Sequence, residues 1–488
     1  MGSNKQSVCD ASPVPYHDID RSCRWPVLLL LTKGSFWLVL SLVLGLVSSI
    51  KMHAPDFLSS CGWVSYGRIR PAFFSAFIYG FAIQASLGLS LWMLARLGRT
   101  RLVAGGLALL GGVVWNAGLL LGVLQIMGGQ STGFTWMEMP REAASLLCGG
   151  FFLIALSAFS TLRYREEKEL YISHWFMIAA LLCFLWVMSL GYYLGVLSPV
   201  RGAMQAVVGA WFVSGMQYLV LIPFGLAVAY YLLPKLSGKP VYSGQAAALG
   251  FWMLILFGGW TALSVIPQGP FPRWMLATGA SCKLMLLMVV ACFAANWFMT
   301  LHRGKKVATS DPSWSFLVCA AWALMAGLIL DVFGATNSLL SSVAFTTYSV
   351  GVTHLLFFGF LTLVLMAGVY YVSERVLDGE WASRGLIRVH LGLSLLGLLF
   401  VSAGYIFGGL STGAALNQSS GAFVDAARAM IPFMGAASAG YLLLLVGQLV
   451  LALNLIRTLL ATTTEERAGF CAWCCGDIGS SKKVRAGV

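Results

Sequence analysis

Apolar runs of about 20 residues or more recur along the chain, separated by short polar segments. That is the length a helix needs to cross hydrocarbon. The runs do not alternate with a period of two, so they predict helices rather than barrel strands. A helix also satisfies its own backbone hydrogen bonds, as any segment in lipid must. The expected spans are 34–53, 72–95, 102–126, 143–162, 174–198, 207–233, 246–267, 277–301, 313–334, 346–373, 387–409 and 430–458. The first boundary is open, because Thr32 and Lys33 follow the apolar run Val27–Leu31. Either the helix starts after Lys33, or Lys33 snorkels from a longer one. The expected organisation is an arm at 1–33, a twelve-helix membrane domain at 34–460 and a tail at 461–488. Segment 410–428 reads as a loop with a short helix at Ala422–Arg428.

Composition agrees with a lipid-facing surface. Of the 488 residues, 59% are hydrophobic and 10% charged, with mean hydropathy +0.82. Soluble domains carry roughly a quarter charged residues. Basic residues then set the orientation. Arg96, Arg99 and Arg101 lie between the second and third spans, and Arg163, Arg165 and Lys168 between the fourth and fifth. Lys235, Lys239, Arg303, Lys305, Lys306, Arg375, Arg384 and Arg388 continue that side, as do Arg457, Arg467, Lys482, Lys483 and Arg485 at the end. The other loops are sparser, with Lys51, Arg68, Arg70, Arg141, Arg201, Arg273 and Arg428. Positive loops stay cytoplasmic, so both termini are expected there. The first residues lack the layout of a cleaved signal peptide, so the N-terminus is expected to be retained. The net charge of +13 follows from topology and needs no nucleic-acid partner.

Candidate chemistry is sparse. Cys471, Cys474 and Cys475 cluster in the tail, but a metal would need further ligands and no histidine lies nearby. No metal site is expected, and a reduced tail is the preferred reading. Ionisable residues inside a bilayer are costly and mark functional candidates. Lys283, Asp331 and His354 are the three that stand out. Lys283 and Asp331 fall near the same end of adjacent antiparallel spans, where they either form an intramembrane ion pair or snorkel separately to the interface. His354 sits in an apolar stretch, where it is either a haem ligand or a hydrogen-bonded structural residue.

Several motifs resemble subunit I of the C-family (cbb-type) haem–copper cytochrome c oxidases over nearly the full chain. Gly67-Arg68-Ile69-Arg70-Pro71 resembles that family's GRLRP, and Tyr230-Tyr231-Leu232-Leu233-Pro234-Lys235 resembles its YYFVPK. Lys239-Pro240-Val241-Tyr242-Ser243 is similar to RPVYS, His390 to the HFW that opens the eleventh span, and Gly351–His354 to GHVH. The resemblance implies an all-α integral membrane bundle like oxidase subunit I, in a bacterial inner (cytoplasmic) membrane. It also implies six histidines for two haems and copper, and most are missing here. The first low-spin haem ligand falls on Phe73, the high-spin ligand on Val352 and the first copper ligand on Ser214. The seventh-span pair falls around Ser264-Val265. Only His354 remains, at the second low-spin position.

Three readings follow. The first is an oxidase-like subunit that has lost its cofactors, with at most one haem through His354, no copper and no catalytic residues. It would accompany other respiratory-complex subunits, cytochrome c-type or oxidase, in the lipid bilayer. The second is a proton- or solute-conducting bundle using Lys283, Asp331 and Glu374. The third, an active terminal oxidase, requires the ligand assignment to be wrong.

Overall fold

A computed structural model of the protein describes residues 14–265, 270–303, 311–418 and 422–461. Among these are twelve helices long and apolar enough to span a bilayer, and no strands. They are α1 (Tyr16–His53), α2 (Tyr66–Leu97), α3 (Gly105–Met127), α4 (Arg141–Arg163), α5 (Ile172–Leu197) and α6 (Met204–Ser237). Then follow α7 (Gly244–Ser264), α8 (Arg273–His302), α9 (Pro312–Gly334), α10 (Tyr348–Leu377), α11 (Arg384–Leu416) and α12 (Phe423–Leu460). With an even number of spans, the start of α1 and the end of α12 share one face, called here the terminal face. The other is the far face.

Burial divides the helices into two layers. The most apolar stretches of α2, α6 and α10 are 100%, 83% and 94% buried, whereas those of the other spans are 39–61% buried. The three are therefore the centre of the bundle, and their neighbours carry the lipid-facing side chains. Leu120, Leu182, Leu284, Leu399 and Leu453 are examples of the latter, each about half exposed. Each central helix also departs from α geometry. A π-helical stretch occupies Ala76–Ile83 in α2, Gly215–Leu221 in α6 and Leu355–Thr362 in α10. Such widenings are rare and concentrate at functional sites. In α6 the widening directly precedes Pro223, whose missing N–H cannot complete an ordinary helical bond.

Three boundaries differ from expectation. The first helix begins at Tyr16, so residues 16–33, expected in an arm, extend it. The polar groups there are satisfied within the fold. Thr32 donates to the Leu28 carbonyl at 2.6 Å, and Asp20 is tied to Arg96 and to the indole of Trp92 at 2.7 and 2.8 Å. At ~1.5 Å per residue the 38-residue helix exceeds a ~30 Å hydrocarbon layer, so its ends reach past it. The short helix expected at Ala422–Arg428 is the first part of α12, continuous through Pro432. Helix α11 runs on to Leu416, into the expected loop. The Cys471–Cys475 cluster, the basic tail residues and Lys305 and Lys306 lie outside the described residues.

Small residues set the closest helix contacts, as expected where lipid supplies no hydrophobic drive between helices. A Cβ on Gly440 of α12 would lie 2.7 Å from the Gly397 carbonyl oxygen of α11. One on Gly397 would lie 2.8 Å from the Gly440 carbonyl oxygen. Gly435, on the same helix, faces open space. G440A is therefore expected to lower the stability of the detergent-solubilised protein by about 1–3 kcal/mol, the usual cost of overpacking. G435A should leave the unfolding midpoint unchanged. Equal midpoints for the two variants in denaturant titration would refute this contact.

Candidate functional site: a polar cavity above an aromatic floor

Apart from the seventh-span pair, the positions where the resemblance implies ligands lie in the far-face halves of the central helices, just before their π-helical stretches. Phe73, Ser214 and His354 precede Ala76, Gly215 and Leu355. His354 is 2% exposed, and both of its ring nitrogens are engaged. Nδ1 is 2.6 Å from the Val350 carbonyl oxygen, which can only accept, so Nδ1 carries the proton of the neutral ring. Nε2 then accepts from the Tyr441 hydroxyl at 2.6 Å. Aromatic rings close around it. Phe73 stacks at 6.3 Å between centroids, with Phe358 at 5.6 Å and Tyr405 at 5.0 Å. A Cβ on Gly45 would come within 2.8 Å of Tyr441 and 3.0 Å of Phe73, so no gap separates these groups from α1.

The hydroxyls at the other ligand positions turn to backbone. Ser214 donates to the Gly259 carbonyl at 2.8 Å, and Ser264 to the Thr261 carbonyl at 2.7 Å. Val352 is 2% exposed in the apolar core. Among the described residues, no three His, Cys, Asp or Glu side chains cluster in a way that could hold a metal.

Toward the far face lies a cavity of about 720 Å³. Ser214 and Thr261 line it, with Ala262 beside them, whereas Ser264 does not. The part of α7 facing the cavity is thus one turn earlier than the Ser264-Val265 assignment. Lys283 and Asp331 meet here, with Nζ and Oδ1 2.8 Å apart. The Tyr218 hydroxyl donates to the other carboxylate oxygen of Asp331. At 9% and 15% side-chain exposure, the ion pair is within the bundle rather than reaching separately to the interface. His354 is not part of the wall, although Val350 and Thr353 on the same helix are. Glu374 sits at the opposite end of α10 and joins neither group.

Two further charged residues come from outside the spans' apolar runs. Arg70 and Glu138 both border the cavity. Glu138 lies in the segment between α3 and α4, and its Oε2 reaches no hydrogen-bond partner. Burial pushes its carboxyl up to about 7, against the opposing pull of nearby backbone N–H groups and Arg70. Sequence reading missed Tyr218, Tyr441 and Glu138. Glu138 left one signal, as a lone acid within Trp136-Met137-Glu138-Met139-Pro140. The tyrosines left none, because a tyrosine in an apolar run reads as packing.

Comparison with known proteins agrees with this arrangement of helices. The family model described as cytochrome c and quinol oxidase polypeptide I matches residues 26–443. The chain belongs to that family. Among similar proteins, a cytochrome c oxidase subunit 1 homolog of Azorhizobium caulinodans is 28% identical over 466 residues. The match covers 89% of this chain and 82% of that protein. The cbb3-type cytochrome c oxidase subunit CcoN1 of Stutzerimonas stutzeri is 25% identical, covering 88% and 94%. A chain from the cryo-EM structure of a heme-copper terminal oxidase dimer superposes with a TM-score of 0.67 at 17% identity, covering 91% and 84%. At that identity the superposition establishes the fold. The protein is thus a multi-pass, cytochrome c oxidase subunit I-like membrane protein with the twelve-helix bundle of its family.

Two predictions follow from the cavity of this subunit I-like chain. Removing one member of a buried ion pair leaves an uncompensated charge and costs about 3–5 kcal/mol. K283M and D331L are each expected to destabilise strongly, and the double variant to recover most of the loss. A double variant no more stable than the single ones, measured by unfolding in detergent, would show that the pair is not coupled. The second concerns Glu138. Its folded-state pKa lies above the ordinary 4.5, so it favours the fold most at low pH. That contribution is lost as pH rises through about 7. The melting temperature of wild type relative to E138Q should therefore fall between pH 4.5 and 7 and level off above. A flat difference would contradict the burial of this carboxyl.

Proposed function

We propose that this chain is a cofactor-free oxidase subunit I-like protein that serves as a structural or accessory component of a respiratory membrane complex. The observation that carries the reading is the occupied lone pair of His354. Axial ligation of haem iron requires that lone pair, which here accepts the Tyr441 hydroxyl, with Phe73 stacked alongside. Copper prefers imidazole and thiolate donors, and the positions that would supply them carry Ser214 and Ser264-Val265, with Thr261 and Ala262 facing the cavity one turn earlier. The residues present do not fit a haem–copper pair, so no dioxygen chemistry is assigned to them. The relatives' names support the kind of neighbour, other cytochrome c oxidase subunits, and the basic loops support a bacterial inner membrane location with both termini cytoplasmic.

The alternative of a conducting bundle has weaker support. The polar cavity stops at a floor formed by Phe74 and Trp136. Beneath it, Phe77 packs on Phe357 and Phe358 at 5.4 and 4.7 Å. A proton path would have to cross this aromatic layer.

A reduced-minus-oxidised optical spectrum with iron and copper analysis of the purified membrane protein tests the proposal. The expected result is no haem band and only substoichiometric metal, unchanged in H354A. A low-spin and a high-spin haem together with copper would overturn it. A single haem lost in H354A would restrict it to the copper and high-spin positions.

A further inference from the structure

The terminal face carries a second cavity, of about 770 Å³, between the ends of α2 and α6 and the starts of α5 and α7. Its wall holds four cations and one carboxylate, Arg96, Arg99, Lys235, Lys239 and Glu167. Arg96 is already committed. It pairs with Asp20 at 2.7 Å and lies 4.1 Å over the ring of Tyr16. Lys239 donates to the Leu301 carbonyl at 3.0 Å, which leaves its charge unmatched. Among the described residues, no ion pair forms at Arg99, Lys235 or Lys239. Three cations against one carboxylate make an anion-attracting pocket.

The rest of the wall is aromatic and continues into lipid. Tyr171 and Trp175 line the cavity at the start of α5, where tyrosine and tryptophan commonly mark the headgroup level. Trp175 packs edge-on against Phe251 and Trp252 of α7, at 5.6 and 6.5 Å. Ala248 of α7 also lines the cavity. Its neighbour Leu249 and, one turn on, Trp252 are 43% and 50% exposed on the outer surface of the bundle. A charged pocket thus opens onto an apolar track running toward the bilayer centre. A soluble anion would use only the first of these. A molecule with a phosphate and long acyl chains would use both.

We propose that this cavity is a binding site for an anionic phospholipid. The Arg99 guanidinium and the Lys235 ammonium hold the phosphodiester, and an acyl chain lies along the Leu249–Trp252 face of α7. Arginine offers a planar fork matched to phosphate oxygens, and lysine adds a point charge. Basic pockets between membrane helices are established headgroup sites in general. The proposal does not depend on whether the protein binds haem.

The test uses delipidated full-length protein in a neutral detergent, with lipid retention followed by native mass spectrometry and thermal unfolding. Phosphatidylglycerol should bind and raise the melting temperature, whereas phosphatidylcholine should do neither. R99Q/K235Q should weaken phosphatidylglycerol binding roughly tenfold or more, since each basic residue near a lipid surface contributes about a factor of five. The charge-keeping R99K/K235R should retain most of it, which separates loss of the site from loss of the fold. R163Q/K168Q, on the same face but outside the cavity, should bind as wild type does. Equal loss in R163Q/K168Q would mean diffuse surface charge and overturn the site. So would unchanged binding in R99Q/K235Q, or full protection by inorganic phosphate alone, which would assign the pocket to a soluble anion.

Discussion

A helix enclosed by other helices in a bilayer meets neither water nor lipid, and α2, α6 and α10 are in that position over most of their length. Every polar group they carry must find a partner inside the protein, since an unpaired one costs several kcal/mol in hydrocarbon. Several serine, threonine and histidine side chains on these helices meet that condition by turning to carbonyls or hydroxyls, although the buried hydroxyls of Ser75 and Ser90 on α2 reach no partner. Ser86 returns to Ala82, Thr362 to Phe357 and His354 to Val350 and Tyr441. Beside these helices, Lys283 of α8 and Asp331 of α9 neutralise each other. The outer helices have an easier task, because one face of each can be leucine against lipid.

Packing explains what occupies the space around His354. A void in a close-packed interior forfeits contacts on every side, so side chains that fill space are favoured wherever nothing else does. The rings of Phe73, Phe74, Phe358, Tyr405 and Tyr441 form one such filling around His354. Toward the far face the filling is incomplete, and the remaining space above Phe74 and Trp136 is lined by hydroxyls, an amide and charges. The two zones differ in chemistry because one is sealed and the other retains polar groups with hydrogen bonds of their own.

Much of the fold could be read from the chain because each span is a long apolar run with polar punctuation. Boundaries were harder where polar residues continue a helix. Asp20 looked like loop chemistry until Arg96, distant in sequence, appeared beside it. The family was legible from Gly67–Pro71 and Tyr230–Lys235, which are short and keep their order. The candidate site was legible only in part. Lys283 and Asp331 are conspicuous in apolar surroundings, but Tyr218 reaches Asp331 from a third helix 113 positions away, which no local pattern encodes. Likewise, Tyr441 is separated from His354 by 87 positions, and hydrogen bonding rather than sequence context brings them together.

The π-helical stretches divide each central helix into two segments with separate phases. An α-helix turns about 100° per residue, so one extra residue in a turn rotates everything beyond it by that amount relative to an unbroken helix. All three central helices run from the far face to the terminal face, and all three place this offset at mid-length. The segment bearing Phe73, Ser214 or His354 therefore presents its side chains at a different angle from the one an unbroken helix would give. Such a molecule can exchange the chemistry of its upper compartment while its lower half goes on assembling in the same way.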